Sequence, residues 1–234
     1  WGDASGDVET LNVIFLGSEE VQVDALGDGE VDMIYPQPYV SLMDEIDGIG
    51  HVESVTGLGP VWEYFGFNQD DPRLQNLFLR QAIAQGINRD GIVEEVVRPI
   101  TPDGQLLGNS VWLNSSEYYQ DHFNGLFPYD PIAAEALLTD NGCVEGDDGI
   151  YECDGERLSF SWATTSGNEA RDVHFEMAQA DLAAIGIEIT PSFGPTSELL
   201  QTNNLQGGAD VWQVTNLAWV GSPDPSWGNS RFYC

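Results

Sequence analysis

Adjacent carboxylates are the most frequent arrangement in this chain that could take part in acid and base catalysis. Two carboxylates that flank a glycosidic bond can hydrolyse it by general acid and base catalysis. Adjacent pairs include Asp70/Asp71, Glu94/Glu95 and Asp147/Asp148. With 39 acidic residues among 234, however, such pairs are expected from composition alone. They do not by themselves indicate an enzyme, and a secreted acidic hydrolase is kept only as the alternative from a different functional class.

The usual sequence signatures of catalysis and metal binding are also missing. The sequence contains no Gly-x-Ser-x-Gly nucleophile elbow, no glycine-rich phosphate loop and no His-Glu-x-x-His motif. The histidines, His51, His122 and His174, are widely separated in the sequence, which argues against a protein-built nickel or zinc site. No stretch places acids at the alternating spacing of a calcium loop. We therefore expect a binding protein without a cofactor or a resident metal.

Two cysteines flank an acidic segment that reads as a hairpin. Cys143 and Cys153 enclose the sequence VEGDDGIYE, with the turn expected at residues 147–149. A disulfide there would close a short loop, and a location outside the cytoplasm would permit it. Free thiols and a two-cysteine metal site are the alternatives, although the spacing matches no zinc pattern. We expect the disulfide, which leaves Cys234 as the odd cysteine.

The elements that could position a ligand are clearest between Val61 and Val97. Residues 61–67 alternate in the manner of a strand and carry aromatic side chains on both faces, which predicts a half-buried strand. A turn follows at residues 68–72, and the side chain of Asn68 is expected to cap it. Apolar residues then recur at helical spacing from Leu74 to Gly86 and from Ile92 to Val97. Asn88 is the predicted cap of the second helix.

Two more helices and several short strands follow. One helix begins at Asp130 and Pro131, ends at Asn141 and Gly142, and has a predicted buried stripe at Ala133, Ala136 and Leu137. The other spans residues 169–185 and leads into a strand at residues 187–189, with a predicted buried stripe at Val173, Met177, Ala180 and Ala184. Helices that alternate with short strands predict an α/β chain with a mixed sheet.

These segments resemble a known family. The sequence FGFN followed by LFLRQAIAQGINRDGIV closely resembles the signature of extracytoplasmic solute-binding proteins of the peptide/nickel class (family 5), which deliver ligands to ABC importers. Four other segments resemble parts of that family in the same order. These are ALGDGEVDMIYPQP, where a short helix ends at glycines and a strand begins with Val-Asp, YDPIAAEALLTDNG, MAQADLAAIGIEIT and GGADVWQVTNLAWVGSPDP.

The resemblance implies a periplasmic-binding-protein-like fold of type II, with two lobes. This chain would contain mainly the second lobe and part of the first. By this resemblance, residues 1–60 belong to the first lobe, 61–68 form a hinge strand, 69–219 form the second lobe, and 220–234 form the ligand loop and the start of the return toward the first lobe. Family members are much longer, so the chain is expected to be the middle of a longer one.

The resemblance also suggests ligand-binding residues. Trp219 matches the position where peptide binders commonly have a tryptophan wall. Ser222 falls near the position where many of them have an aspartate that pairs with the ligand ammonium, and Asp224 could take that ionic role instead. Trp112 and Tyr35 are weaker candidates for contact with the ligand.

Cargo, partners and location follow from the same resemblance. An oligopeptide is the leading cargo, and an oligosaccharide is the alternative because Ser222 and several tryptophans suit a neutral ligand. The expected partners are the ABC permease and ATPase subunits. The protein is expected to be a monomer outside the cytoplasm, either periplasmic or attached to the cell surface as a lipoprotein.

The net charge of −32 sets a separate limit. All seven basic residues are arginine, and a surface this acidic repels nucleic acids and anionic membranes. The acids are spread along the chain, which favours a solvated acidic surface suited to high salt or to solubility over a specific site for cations or metals. Self-repulsion should weaken the fold at low ionic strength.

Overall fold

The computed structural model describes residues 8–195, 198–199 and 212–222. The chain divides into two compact units, with the division between Thr56 and Gly57. Within the described residues, no helix is both long and apolar enough to cross a membrane.

The described part of the first unit, residues 8–56, contains two short helices, α1 (Glu19–Gly27) and α2 (Val40–Asp47). Its buried side chains are Val23, Ala25, Leu26, Tyr39, Leu42 and Ile46. Helix α1 ends at glycines as predicted, but the strand expected to begin at Val31 is wrong, since residues 31–38 have no regular secondary structure. A strand needs a neighbouring strand to complete its hydrogen bonds, and residues 8–56 contain no strand.

The second unit alternates helices and strands. In chain order its described elements are β1 (Val61–Phe67), α3 (Leu77–Gly86), α4 (Arg89–Val96), α5 (Pro131–Asp140), β2 (Val144–Glu145), β3 (Tyr151–Cys153), β4 (Glu156–Arg157), β5 (Ser159–Thr165), α6 (Glu169–Ala184), β6 (Glu188–Gly194) and β7 (Val214–Val220).

Among the described strands, β1, β7, β5 and β6 lie side by side in that order in one sheet. Strand β1 is antiparallel to β7, whereas β5 is parallel to both β7 and β6. The sheet is therefore mixed, and the predicted α/β class is confirmed. The largest fully buried side chains around it include Trp162, Phe160, Leu79, Leu138, Leu158 and Leu182.

Strand β1 and the turn after it form as predicted. Phe65 packs against Trp162 with ring centroids 4.8 Å apart. The Asn68 N–H donates to the backbone oxygen of Gln213 at 2.8 Å, which extends the pairing of β1 with the β7 side of the sheet. The Asn68 Oδ1 accepts a hydrogen bond from the Asp70 N–H at 3.0 Å, so this side chain caps the turn.

Helix α3 begins at Leu77 rather than near Leu74, because a short 3-10 turn at Arg73–Gln75 precedes it. Gly86 ends the helix where α3 meets the end of α6, and a Cβ at Gly86 would lie 2.5 Å from Ile185 Cδ1. Asn88 caps α4 as predicted, since its Oδ1 accepts a hydrogen bond from the Gly91 N–H at 3.0 Å.

The caps of α5 are also correct, but the predicted buried faces of α5 and α6 are wrong by one or two residues. The Asp130 Oδ1 accepts from the Ala133 N–H at 2.9 Å, and Gly142 has φ 82°. The buried residues are Ala134 and Leu138 in α5, and Ala170, Arg171, His174, Phe175, Ala178 and Leu182 in α6. The predicted Ala136, Ala180 and Ala184 are exposed. Because apolar residues occupy adjacent positions in both helices, the helical period leaves two neighbouring stripes that fit almost equally well.

Strands β2, β3 and β4 form a small antiparallel sheet beside the main one. The turn between β2 and β3 uses Gly149 at φ 84°, a conformation that glycine adopts without strain. Cys143 and Cys153 form a disulfide across this hairpin, with their Cα atoms 4.2 Å apart.

Candidate ligand-binding site

Strands β1 and β7 carry three aromatic side chains on one face of the main sheet. Trp62 lies directly opposite Trp219, and Tyr64 lies opposite Leu217. The ring centroids of Trp62 and Tyr64 are 5.7 Å apart, and the rings are tilted by 56°. All three residues are half-buried. We call Trp62, Tyr64 and Trp219 the aromatic wall.

This wall can bind a ligand through its ring faces. Residues directly opposite in an antiparallel pair have Cβ atoms about 5 Å apart, so Trp62 and Trp219 are close enough to act together. Half-buried indole rings present apolar area together with an electron-rich face that attracts cations. An apolar wall with a few polar groups at its edge is the usual lining of a small-molecule site.

The chain leaves the wall through Gly221 and Ser222. The Gly221 N–H donates to the backbone oxygen of Pro60 at 2.7 Å, so the β1–β7 pairing continues one residue past Val220. A Cβ at Gly221 would lie 2.8 Å from Leu113 Cδ2. Another loop therefore packs directly against the end of β7. Ser222 follows there and is half-buried.

That second loop carries Trp112. The Asn109 Oδ1 accepts hydrogen bonds from the Val111 N–H at 2.8 Å and the Trp112 N–H at 3.0 Å, which shapes the loop as an Asx turn. The Trp112 ring packs on Tyr118 with centroids 4.9 Å apart. Since Leu113 contacts the Gly221 position, Trp112 is held in the neighbourhood of the end of β7.

Arg89, at the first position of α4, anchors the continuation of this loop. Its Nη1 donates to Asn124 Oδ1 at 2.9 Å, and its Nη2 donates to the backbone oxygen of Phe127. The guanidinium carbon lies 4.7 Å from the centre of the Phe123 ring. Burial lowers the pKa of Arg89, although the Asp121 carboxylate raises it in part. Arg89 thus ties the loop to the helical layer of the unit.

A polar cluster lies behind the aromatic wall, on the opposite face of the same two strands. Glu63 on β1 pairs with Arg171 on α6, with Nη2 to Oε1 at 2.9 Å. Asn216 on β7 donates from Nδ2 to Glu63 Oε2 at 3.1 Å, and its Oδ1 lies 3.0 Å from His174 Nδ1. Burial lowers the pKa of His174, so its imidazole is neutral at neutral pH.

Among the described residues, no group of three or more His, Cys, Asp or Glu side chains is placed to hold a metal ion. The described residues of the site offer aromatic contact and hydrogen bonding.

The structure brings together the neighbourhoods of three predicted site residues. Trp219 is part of the aromatic wall, Ser222 follows Gly221, and Trp112 precedes Leu113. Tyr35 belongs to the first unit and is 88% exposed. Asp224 lies outside the described residues. A role in ligand binding stays a prediction for all five.

Sequence reasoning missed Trp62 and Tyr64. The signal was available, because residues two apart in a strand share a face. What the sequence could not show was that β7, far along the chain, would place Trp219 opposite Trp62.

Solved structures establish the class of fold. The chain matches the periplasmic EDTA-binding protein EppA with a TM-score of 0.80 at 17% identity, over 90% of this chain and 40% of that one. It matches NikZ from Campylobacter jejuni in complex with Ni(L-His) with a TM-score of 0.75 at 20% identity, over 92% and 41%. AppA from Bacillus subtilis in complex with a nonapeptide gives 0.70 at 21% identity, over 89% and 40%. The fold is that of the periplasmic binding proteins.

Sequence comparison then gives the family. The bacterial extracellular solute-binding proteins, family 5 Middle, match residues 1–233, and the chain belongs to this family. The oligopeptide-binding protein AppA of Bacillus subtilis (strain 168) is 28% identical over 155 residues, which are 66% of this chain and 28% of that protein. The oligopeptide-binding protein OppA of Mycobacterium tuberculosis (strain ATCC 25618 / H37Rv) is 28% identical over 176 residues, 75% of this chain and 29% of that protein. The matched segments therefore cover less than a third of the length of these curated relatives.

The family is one of binding proteins of ABC transporters rather than of enzymes. This confirms the predicted family and the prediction of a binding protein, and it removes the hydrolase alternative.

Proposed function

We propose that this chain is part of the substrate-binding subunit of an ABC importer and that it supplies one side of the ligand site. The observation that carries the proposal is the aromatic wall. This wall is bordered by the end of β7 and by the Trp112 loop. Membership of the solute-binding family supports the same interpretation.

The solute that we propose is an oligopeptide. Ring faces can bury peptide side chains of many kinds, because aromatic contact does not depend on a matched set of hydrogen bonds. Relatives from two genera are named as oligopeptide-binding proteins. Asp224 is the proposed partner of the ligand ammonium, and Ser222 is a proposed hydrogen-bonding group at the same end.

An oligosaccharide is the second candidate. The observation that favours it is Ser222, a neutral residue near the position where the family resemblance leads us to expect an acid. A tryptophan face and a hydroxyl group would suit a sugar ring, which carries no charge.

The proposed mechanism is closure of two lobes around the solute. In this proposal residues 1–60 are part of the first lobe, 61–68 are the hinge strand, 69–219 are the second lobe and 220–234 are the ligand loop. A ligand that contacts both lobes only in the closed state binds that state better and shifts the population toward it. Tyr35 is the proposed contribution of the first lobe.

The proposed partners are the permease and ATPase subunits that receive and transport the solute. We propose a monomer that works outside the cytoplasm, in the periplasm or as a lipoprotein on the cell surface. The extracellular family supports this location.

A thermal-shift panel on the full-length gene product tests the proposal. The panel contains di- to pentapeptides, cello- and xylo-oligosaccharides and nickel chelates. A ligand at about 100 times its dissociation constant adds roughly 2.7 kcal/mol to the free energy of unfolding, which is readily measured. We expect a shift with peptides.

The other outcomes are equally informative. A shift with sugars alone would replace the peptide assignment by the oligosaccharide one. A shift with nickel chelates alone would contradict both, and so would the absence of any shift across the panel.

A further inference from the structure

The polar cluster behind the aromatic wall joins three elements at one point. Glu63 is on β1, Asn216 is on β7, and Arg171 and His174 are on α6. Asn216 is 0% exposed, His174 is 5% exposed and Arg171 is 6% exposed. Buried polar groups are costly unless they are hydrogen-bonded to each other, and these are.

The contacts set the direction of each hydrogen bond. A carboxylate can only accept, so Asn216 must direct its NH2 group toward Glu63 Oε2. The Asn216 Oδ1 then faces His174 Nδ1, and that ring nitrogen must carry the hydrogen. Arg171 completes the arrangement by donating from Nε to both Glu63 oxygens, at 3.2 and 3.3 Å, and from Nη1 to Thr165 Oγ1 at 2.6 Å.

The charges in the cluster are balanced as long as His174 is neutral. The charged groups that face His174 are Glu63 from β1 and Arg171 from α6. Burial and Arg171 lower the pKa of His174, whereas its hydrogen bond to Asn216 and the Glu63 carboxylate raise it in part. One carboxylate and one guanidinium then compensate each other, and the imidazole serves as a neutral donor.

The cluster is also next to the wall along both strands. Glu63 lies between Trp62 and Tyr64, and Asn216 precedes Leu217, which is the partner of Tyr64. The backbone oxygen of Asn216 accepts a hydrogen bond from Thr164 Oγ1 of β5 at 2.6 Å. A change in how Asn216 is held therefore acts on the strands that carry the wall residues.

We propose that Asn216 is a positioning residue for ligand binding, which keeps Trp62 and Trp219 side by side because Glu63 and His174 hold its amide between β1 and α6. This inference rests on the proposed function of the aromatic wall.

The variant Asn216→Asp tests it. The substitution keeps the shape of the side chain but places a second carboxylate against Glu63, and the two repel at neutral pH. Protonation of His174 at lower pH would supply the missing positive charge. We measure by calorimetry the dissociation constant of the peptide that gives the largest shift in the panel. The dissociation constant of the variant should be at least ten times that of the wild type at pH 8. The ratio of the two constants should fall several-fold by pH 5.5.

Because the peptide is the same for both proteins, any effect of its own ionisation on binding cancels in this ratio of dissociation constants. The matched control is Asn141→Asp, which also removes an amide donor, in this case to the backbone oxygen of Leu137 at 2.8 Å in α5. Its ratio should not depend on pH. A second variant, Asn216→Asp with His174→Gln, lacks the imidazole. Its recovery of affinity at pH 5.5 should be smaller than that of Asn216→Asp alone, because only the two adjoining carboxylates remain to share a proton.

A measurement without ligand tests the positioning role of Asn216 independently of the proposed ligand-binding function. The Gly221 amide, bonded to Pro60 at the end of the wall, should lose protection from hydrogen exchange in Asn216→Asp at pH 8 and regain it at pH 5.5. If no peptide binds the wild type, the proposed function fails and this measurement still tests the inference. Unchanged protection, or a binding ratio that does not vary with pH, would overturn the positioning role.

Discussion

Trp62 and Trp219 share one face of the sheet because antiparallel pairing sets them directly opposite each other. Neither residue is fully buried, so each keeps ring area that a solute can cover. At the scale of the residue, the proposed affinity of the site comes from this area rather than from charge.

Replacing Trp219 by alanine should therefore weaken binding of the peptide identified in the panel. We expect a loss of about 1–3 kcal/mol in binding free energy, the value of burying one large apolar side chain. Trp62→Ala should have an effect of similar size. Titration calorimetry measures both, with Tyr129→Ala, at the entrance to α5, as the control that leaves affinity unchanged. An unchanged affinity for Trp219→Ala would place the pocket elsewhere.

Asp71 shows how a single buried carboxylate links stability to pH. It is 3% exposed, and its Oδ2 lies 2.6 Å from Arg73 Nη2. Burial raises the pKa of Asp71, but the hydrogen bonds and the charge of Arg73 outweigh this, and its pKa lies below the usual 3.8. The stabilisation is therefore complete above the unfolded pKa and is lost as pH falls through the folded value.

Asp71→Asn should consequently destabilise the protein at pH 7, and the difference from wild type should shrink below about pH 4, the unfolded range for aspartate. Urea unfolding at pH 7, 5 and 3 measures it. The neighbouring exposed Asp70→Asn is the matched control and should change stability little at any of these pH values. A difference that stays constant from pH 7 to pH 3 would contradict the assigned role of the Asp71 carboxylate.

At the scale of the element, the hairpin of β2 and β3 is the clearest self-contained unit. The residues 144–153 turn back at Gly149, and the Tyr151 hydroxyl donates to Glu135 Oε1 at 3.0 Å, which ties the hairpin to α5. The disulfide between Cys143 and Cys153 closes a loop with a sequence separation of 10.

Removing that disulfide with the double variant Cys143→Ser, Cys153→Ser should lower the free energy of unfolding by about 3 kcal/mol, since a short closed loop restricts the unfolded chain. Chemical denaturation with and without a reducing agent measures the effect. The reducing agent should destabilise the wild type and leave the double variant unchanged. Equal stability of the wild type under both conditions would show that the bond does not form in solution.

At the scale of the whole molecule, the dominant property is the net charge of −32. Within the described residues, arginines are used to make local ion pairs, such as Arg98 with Asp90 at 2.9 Å and Arg157 with Asp148 at 2.7 Å. Such exposed pairs contribute little to stability. Most of the acidic charge is therefore left to repel itself.

Salt should stabilise the protein, because the screening length falls from about 10 Å at 0.1 M to about 3 Å at 1 M ionic strength. We expect the melting temperature to rise steadily over this range. Sodium chloride and potassium chloride should act alike, since screening depends on ionic strength alone. A marked difference between the two salts would indicate specific cation binding, and a flat or falling melting temperature would contradict the role of self-repulsion.

Local signals in the sequence by themselves determined much of this protein. The period-two alternation at residues 61–67, the caps Asn88 and Asp130, and the left-handed Gly142 are decided by interactions within a few residues, and each forms as predicted. The family signature between Phe65 and Val93 can likewise be read from a short continuous stretch of the sequence.

Which faces and strands meet depends on contacts between segments that are far apart in the chain. The buried stripes of α5 and α6 are one or two residues away from those predicted, because the helical period does not choose between neighbouring apolar positions. Trp62 joins Trp219, and Glu63 joins Asn216 and His174, across more than 100 residues of chain. Strand pairing and burial place these residues together, and no spacing in the sequence records which strand will lie beside which.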